Sequence, residues 1–131
     1  MKSRPKVGST GELAFNIEPK HAIDFATGGM PVVLSTPNLI GLLERTARET
    51  LAGCLEDDER SVGVEIELRH LAPTPVGHTV HCTARVIHTE DREVTFQISA
   101  RDEREIIARG LHKRVVIRIE SFRRRVKGKA S

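Results

Sequence analysis

The chain has 131 residues, 38% of them apolar, and 21 basic against 18 acidic side chains for a net charge of +3. That is enough for a real hydrophobic core in one domain, residues 1–131, and leaves no room for a second. No apolar run approaches the roughly 20 residues that span a bilayer, and the opening MKSRPKVGSTGE lacks the apolar block of a signal peptide, so a cytoplasmic protein is expected.

Leu13, Phe15 and Ile17 alternate with polar neighbours, which predicts a first strand at about 11–18, ending at Pro19. The segment at about 19–35 contains Gly28-Gly29 and Pro31. It reads as a helical turn followed by a loop, and loops of this length tend to carry function. Thr36-Pro37 reads as a helix start, with Thr36 capping and Pro37 in the first turn, where its missing N–H does no harm. The helix should run to about Gly53 or Leu55. Its apolar stripe is Ile40, Leu43, Ala47 and Leu51, and Glu44 falls on that stripe. Gly41 interrupts the helix at about 1 kcal/mol relative to alanine, which points to close packing there.

After the acidic turn EDDER the hydrophobic period changes from 3.6 to 2. Strands are expected at about 61–70, 79–90, 93–101 and 105–121. Pro73, Pro75 and Gly77, then Glu90-Asp91, then Asp102-Glu103 mark the turns between them. His70 ends the alternation Val62, Val64, Ile66, Leu68 and so should point to the core side with them. In the last strand Val115, Ile117 and Ile119 face one way, opposite Arg114, Arg118 and Glu120.

Beyond it, Arg123, Arg124, Arg125, Lys127 and Lys129 form a basic tail, read as a solvated and partly disordered end from about 123. Without those five the body has 16 basic residues against 18 acids, and the chain has no Trp or Tyr. Nucleic acid is therefore not expected as a partner. Cys54 and Cys82 lack metal-motif spacing and read as reduced core thiols. The six histidines lack ligand partners at suitable spacing, His78 and His81 forming only a weak i, i+3 pair. No metal and no cofactor is expected.

One strand, one long helix and four antiparallel strands need the helix to cover the sheet. The simplest arrangement is α+β, a curved antiparallel sheet wrapped around one long central helix, known as the hotdog fold. Its open edge invites pairing into a homodimer or a dimer of dimers.

Thr36, Glu44 and His70 supply a hydroxyl, a carboxylate and an imidazole, the parts of an acyl-transfer site. Each has a plainer reading: Thr36 as an N-cap, Glu44 as a buried carboxylate paired with an arginine, His70 as a strand-end histidine bonded to backbone. The combination is harder to dismiss. Helix N–H groups beside Thr36, with the positive end of the dipole, can stabilise an oxyanion at a thioester carbonyl. Eight helical residues separate Thr36 from Glu44 by about 12 Å, too far for contact. Either the first turn is irregular, or the helix start of one subunit faces Glu44 of the partner subunit across a dimer axis; the second is favoured.

The run Thr36-Pro-Asn-Leu-Ile-Gly-Leu-Leu-Glu44, the Ser61-Val-Gly-Val segment, His70 and HKRVVI at 112–117 resemble the fluoroacetyl-CoA thioesterase-like group of hotdog thioesterases. The resemblance implies hydrolysis of acyl-CoA thioesters by a homodimer, with Thr36, Glu44 and His70 as catalytic residues. It also implies substrate contacts from Gly63 and Arg114, and CoA only as part of the substrate. The lid does not carry over, because the His21 to Thr36 segment is shorter than in that group and keeps only Phe25 of its phenylalanine cluster. Competing readings are a hotdog acyl-CoA hydratase or dehydratase, a non-catalytic acyl-CoA or small-ligand binding protein, and a nucleic-acid binder using the tail.

Overall fold

The computed structural model describes residues 1–130. Five strands, β1 (Thr10–Asn16), β2 (Glu59–His70), β3 (Thr79–Glu90), β4 (Glu93–Arg101) and β5 (Ile106–Arg118), form one sheet in the order β1-β3-β4-β5-β2. Every neighbouring pair is antiparallel. The helix α1 (Thr36–Ala52) lies on the inner face, and a second helix, α2 (Ile119–Ala130), follows the last strand. This is the expected hotdog layout.

The core is built where the two periodicities meet. Leu39, Leu43, Ala47 and Leu51 of α1 are buried against Val80, Cys82, Ala84 and Val86 of β3 and Val94, Phe96 and Ile98 of β4. Burial pushes the Cys82 thiol up to about 12, which leaves it an inert packing group.

Two inner rows differ from the sequence reading. A register shift between Gly63 and Glu65 in β2 moves the chain by one residue, and a one-residue shift exchanges faces. Val64, expected inside, is therefore 54% exposed, while Ser61 is buried. Beyond the bulge Ile66, Leu68 and His70 face inward and are half-buried. In β5 the buried row is His112, Arg114 and Val116, whereas Val115 and Ile117 are only half-buried on the other face. Apolar alternation pointed to the wrong side because the inner row is filled with polar groups that satisfy one another.

The strand expected to reach about 121 stops at Arg118, and the basic tail continues as helix α2, anchored by the Ile119 N–H bonded to the Asp58 carbonyl at 2.9 Å. Gly41 meets no neighbour: a Cβ built there finds nothing within 4 Å. Within the subunit, the close packing anticipated at Gly41 is absent.

The loop before α1 begins with a 3-10 turn at Pro19–His21 and is pinched at its base by an Ala22–Leu34 bridge. Its tip turns at Gly28 and Gly29, whose φ angles of 63° and 86° suit residues without a Cβ. The floor beneath is fixed by the Leu34 N–H bonded to the Thr74 carbonyl at 2.8 Å. Thr74 in turn donates its hydroxyl to the buried Asp102 at 3.0 Å.

Candidate active site

The start of α1 is set by Ser35, not Thr36. The Ser35 hydroxyl accepts from the Asn38 N–H at 3.2 Å, with Thr36 as the first and Pro37 as the second helical residue. The expected role of Thr36 as the cap is thereby corrected, with a chemical consequence. A capping hydroxyl would be committed to the helix; that of Thr36 is free to turn outward. It lies 2.8 Å from Nδ1 of His70, the last residue of β2. Pro37 has no N–H and Asn38 is capped, so the Thr36 N–H is the open backbone donor of the first turn.

His70 pairs with Ala108 across the ladder, and its Nε2 is buried without a hydrogen bond. Desolvation lowers the pKa of the ring below 6.5; the Ala72 backbone opposes this without completing a bond to Nε2. At neutral pH the imidazole is uncharged. With Nε2 walled off from solvent, Nδ1 is the nitrogen available for proton exchange, and it faces the Thr36 hydroxyl. Thr36 is exposed and borders two open clefts. One, of about 390 Å³, runs under Phe25 and Ile23; the other, of about 290 Å³, is walled by Leu34, Leu71 and Pro73. Larger hollows of 480 and 650 Å³ lie on the sheet's outer face; the first is lined by His81, Thr83 and Ser99, but no hydrogen bond joins that ring to either hydroxyl.

Glu44 is not part of this pair. It sits at the margin of the buried helix face, with its side chain 42% exposed, rather than within the stripe as its spacing predicted. Its Oε2 lies 3.5 Å from Nη1 of Arg114 and 4.0 Å from Nε2 of His112. Arg114 is 4% exposed. It donates from Nε to the Ser61 hydroxyl at 2.9 Å and from Nη2 to the Ser61 carbonyl at 2.8 Å. What this enclosed guanidinium holds is the Glu44 carboxylate. Gly63 faces the same group. A Cβ at this position would press on Glu44 Oε2 and stand 3.1 Å from His112 Cε1, so glycine leaves the carboxylate its present seat.

The structure thus brings Thr36 to His70, and Glu44 to Gly63 and Arg114, as two separate groups in one subunit. Sequence reasoning missed Ser61 and His112. The available signal was the i, i+2 row His112, Arg114, Val116, in which two polar residues share the phase of a core valine.

The chain resembles known proteins over almost its whole length. The family model for fluoroacetyl-CoA-specific thioesterase matches residues 17–120. The chain belongs to that family. It is 37% identical to the fluoroacetyl-CoA thioesterase of Streptantibioticus cattleyicolor, covering 98% of this chain and 97% of that protein. A solved structure of a fluoroacetyl-CoA thioesterase superposes with a TM-score of 0.90 at 31% identity, covering 97% of this chain and 98% of the other. A hot-dog-like protein from Thermanaerovibrio acidaminovorans superposes at 0.87 with 26% identity, covering 95% and 93%.

Proposed function

We propose that this chain hydrolyses small acyl-CoA thioesters at Thr36, His70 and Glu44, with Glu44 supplied to each site by the partner subunit of a homodimer. Thioester hydrolysis is the activity its family is named for. The observation that carries the reading to these residues is the 2.8 Å contact between the Thr36 hydroxyl and Nδ1 of a neutral, half-buried His70. A hydroxyl and a base at hydrogen-bond distance are the start of nucleophilic or general-base acyl transfer.

In the proposed sequence the thioester carbonyl lies beside the first turn of α1, and the Thr36 N–H polarises it. His70 Nδ1 takes the proton of the attacking group, either the Thr36 hydroxyl or a water that Thr36 orients. The same nitrogen returns the proton to the departing CoA thiolate. Glu44 of the partner subunit balances the imidazolium formed in between, or activates the water that releases the acid. Side chains suffice, and CoA enters only as part of the substrate.

Three features support the dimer. β2 is an edge strand of twelve residues with, among the described residues, nothing paired to its outer side, an arrangement that favours strand addition. Val64 and Leu71 on or beside it are more than half exposed. The Glu44 side chain is 42% exposed although its partners Arg114, Ser61 and His112 are buried, so it can serve a neighbouring subunit. A cytoplasmic setting is proposed: both cysteines are free, and among the described residues no helix is long and apolar enough to cross a membrane.

The acyl preference is proposed to be set by the loop of residues 22–34, where Phe25 lines one of the Thr36 clefts and Met30 and Val32 are further exposed apolar groups. Assaying thiol release from short, branched, aromatic and long acyl-CoAs tests the function. Rapid turnover of at least one short acyl-CoA is expected. Binding without release across the whole panel would contradict it.

A further inference from the structure

His112 is 2% exposed, and its polar partners are Glu65, Arg114 and Glu44 rather than the Thr36–His70 pair. Its Nδ1 lies 2.9 Å from the Glu65 carbonyl. A carbonyl only accepts, so Nδ1 carries the proton and Nε2 bears a lone pair. That lone pair lies 3.1 Å from Nη1 of Arg114, which can only donate. The two contacts fix both the tautomer and the neutral state of the ring. Burial and the Arg114 charge reinforce this by lowering its pKa, against the Glu65 bond and Glu44.

Arg114 is thereby gripped on two sides. Ser61 takes Nε and Nη2 on one flank, and His112 takes Nη1 on the other. The remaining direction of Nη1 points at Glu44 Oε2, 3.5 Å away. We propose that His112 is a positioning residue, a neutral acceptor that aims the Arg114 guanidinium so that it presents the Glu44 carboxylate over Gly63. The bulge at Gly63–Glu65 contributes by placing the Glu65 carbonyl where the ring can donate to it. A packing role alone would ask only for an aromatic ring against Phe96, whose centroid is 6.5 Å away.

Two substitutions separate these roles. His112→Phe keeps a ring on Phe96 and removes the acceptor; His112→Gln restores an acceptor near the Nε2 position. With an active short acyl-CoA, His112→Phe should lower kcat about 10- to 100-fold with KM changed less than about threefold, and His112→Gln should recover most of the loss. On a Glu44→Gln background, His112→Phe should add little. A wild-type kcat in His112→Phe, an equal loss in His112→Gln, or full additivity with Glu44→Gln would each overturn the proposal.

The kinetic arm rests on the thioesterase reading; the second arm does not. In 15N NMR of the wild-type protein, His112 should show a protonated Nδ1 and an accepting Nε2. The Arg114 guanidinium N–H signals should be protected from exchange, and that protection should fall in His112→Phe. The opposite tautomer, or Arg114 signals indifferent to His112, overturns the assignment even if no acyl-CoA is hydrolysed or a variant fails to fold.

Discussion

The two halves of the candidate site differ in how they are built. At the start of α1, Thr36 and His70 form a pair joined by one hydrogen bond, open to two clefts and uncharged at neutral pH. Eight residues along the helix, Glu44 is held by a network reaching into the sheet, through Arg114 to Ser61 and His112. The first half is suited to passing a proton to a substrate. The second is suited to fixing a charge in one place, because each buried polar atom is tied to another. Reaction needs a mobile proton, and a stationary charge to answer it.

The largest effects should come from removing the reactive groups themselves. Thr36→Ala, His70→Ala and Glu44→Ala should each lower kcat about 10²- to 10⁴-fold while the protein still melts cooperatively. Near-normal turnover in His70→Ala would show that the open half is not the proton carrier.

Gly63→Ala probes the charged half without touching its chemistry. The added methyl would meet the flexible end of Glu44 and the edge of the His112 ring, and no backbone. The fold should survive and kcat should fall about 10- to 100-fold as the carboxylate is displaced. Unchanged kinetics would mean that the exact seat of Glu44 is unimportant.

A smaller and graded effect is expected from pH. Burial depresses the pKa of His70 below 6.5, so the neutral working form persists through neutrality. kcat/KM should be level above 6.5 and decline by about tenfold per unit once the pH is below the shifted value. Stability follows the same sign: a depressed histidine pKa contributes fully above 6.5 and is lost as pH falls through the folded value. His112 shifts in the same direction for the same main reason, burial. An acid limb above 6.5 in kcat/KM would contradict the buried neutral ring.

The mildest change is Ser35→Ala. Losing this cap should cost about 1 kcal/mol of stability, read as a lower melting temperature. It should raise KM more than it lowers kcat, by loosening the turn that carries Thr36.

Much of this was legible in the sequence because hydrophobic periodicity reports which elements exist. The long helix, the four later strands and their turns fall within a few residues of the expected positions. Failures came where polar residues occupy inward positions. Val64 was assigned to the core because nothing in the sequence marks the bulge at Gly63–Glu65, and that shift also brings Ser61 inside. His112 and Arg114 look like solvent-facing residues until Ser61 and Glu44 are seen beside them. The cap is ambiguous in the sequence because Ser35 and Thr36 are both capping residues, and Pro37 is compatible with either the first or the second helical position. The helical tail was hidden by its charge, which reads as a solvated end, although Ile119, Phe122 and Val126 keep helical spacing.

Subunit mixing tests the central claim most directly, namely that the open pair and the fixed carboxylate meet only between subunits. His70→Ala and Glu44→Ala proteins, each nearly inactive, are combined in equal amounts and allowed to exchange, with exchange confirmed by mass tags. Mixed dimers then contain one intact site and one doubly impaired site. Activity should recover to about a quarter of wild type, since half the dimers are mixed and each has one working site. A fully exchanged mixture as inactive as its parents would contradict the account.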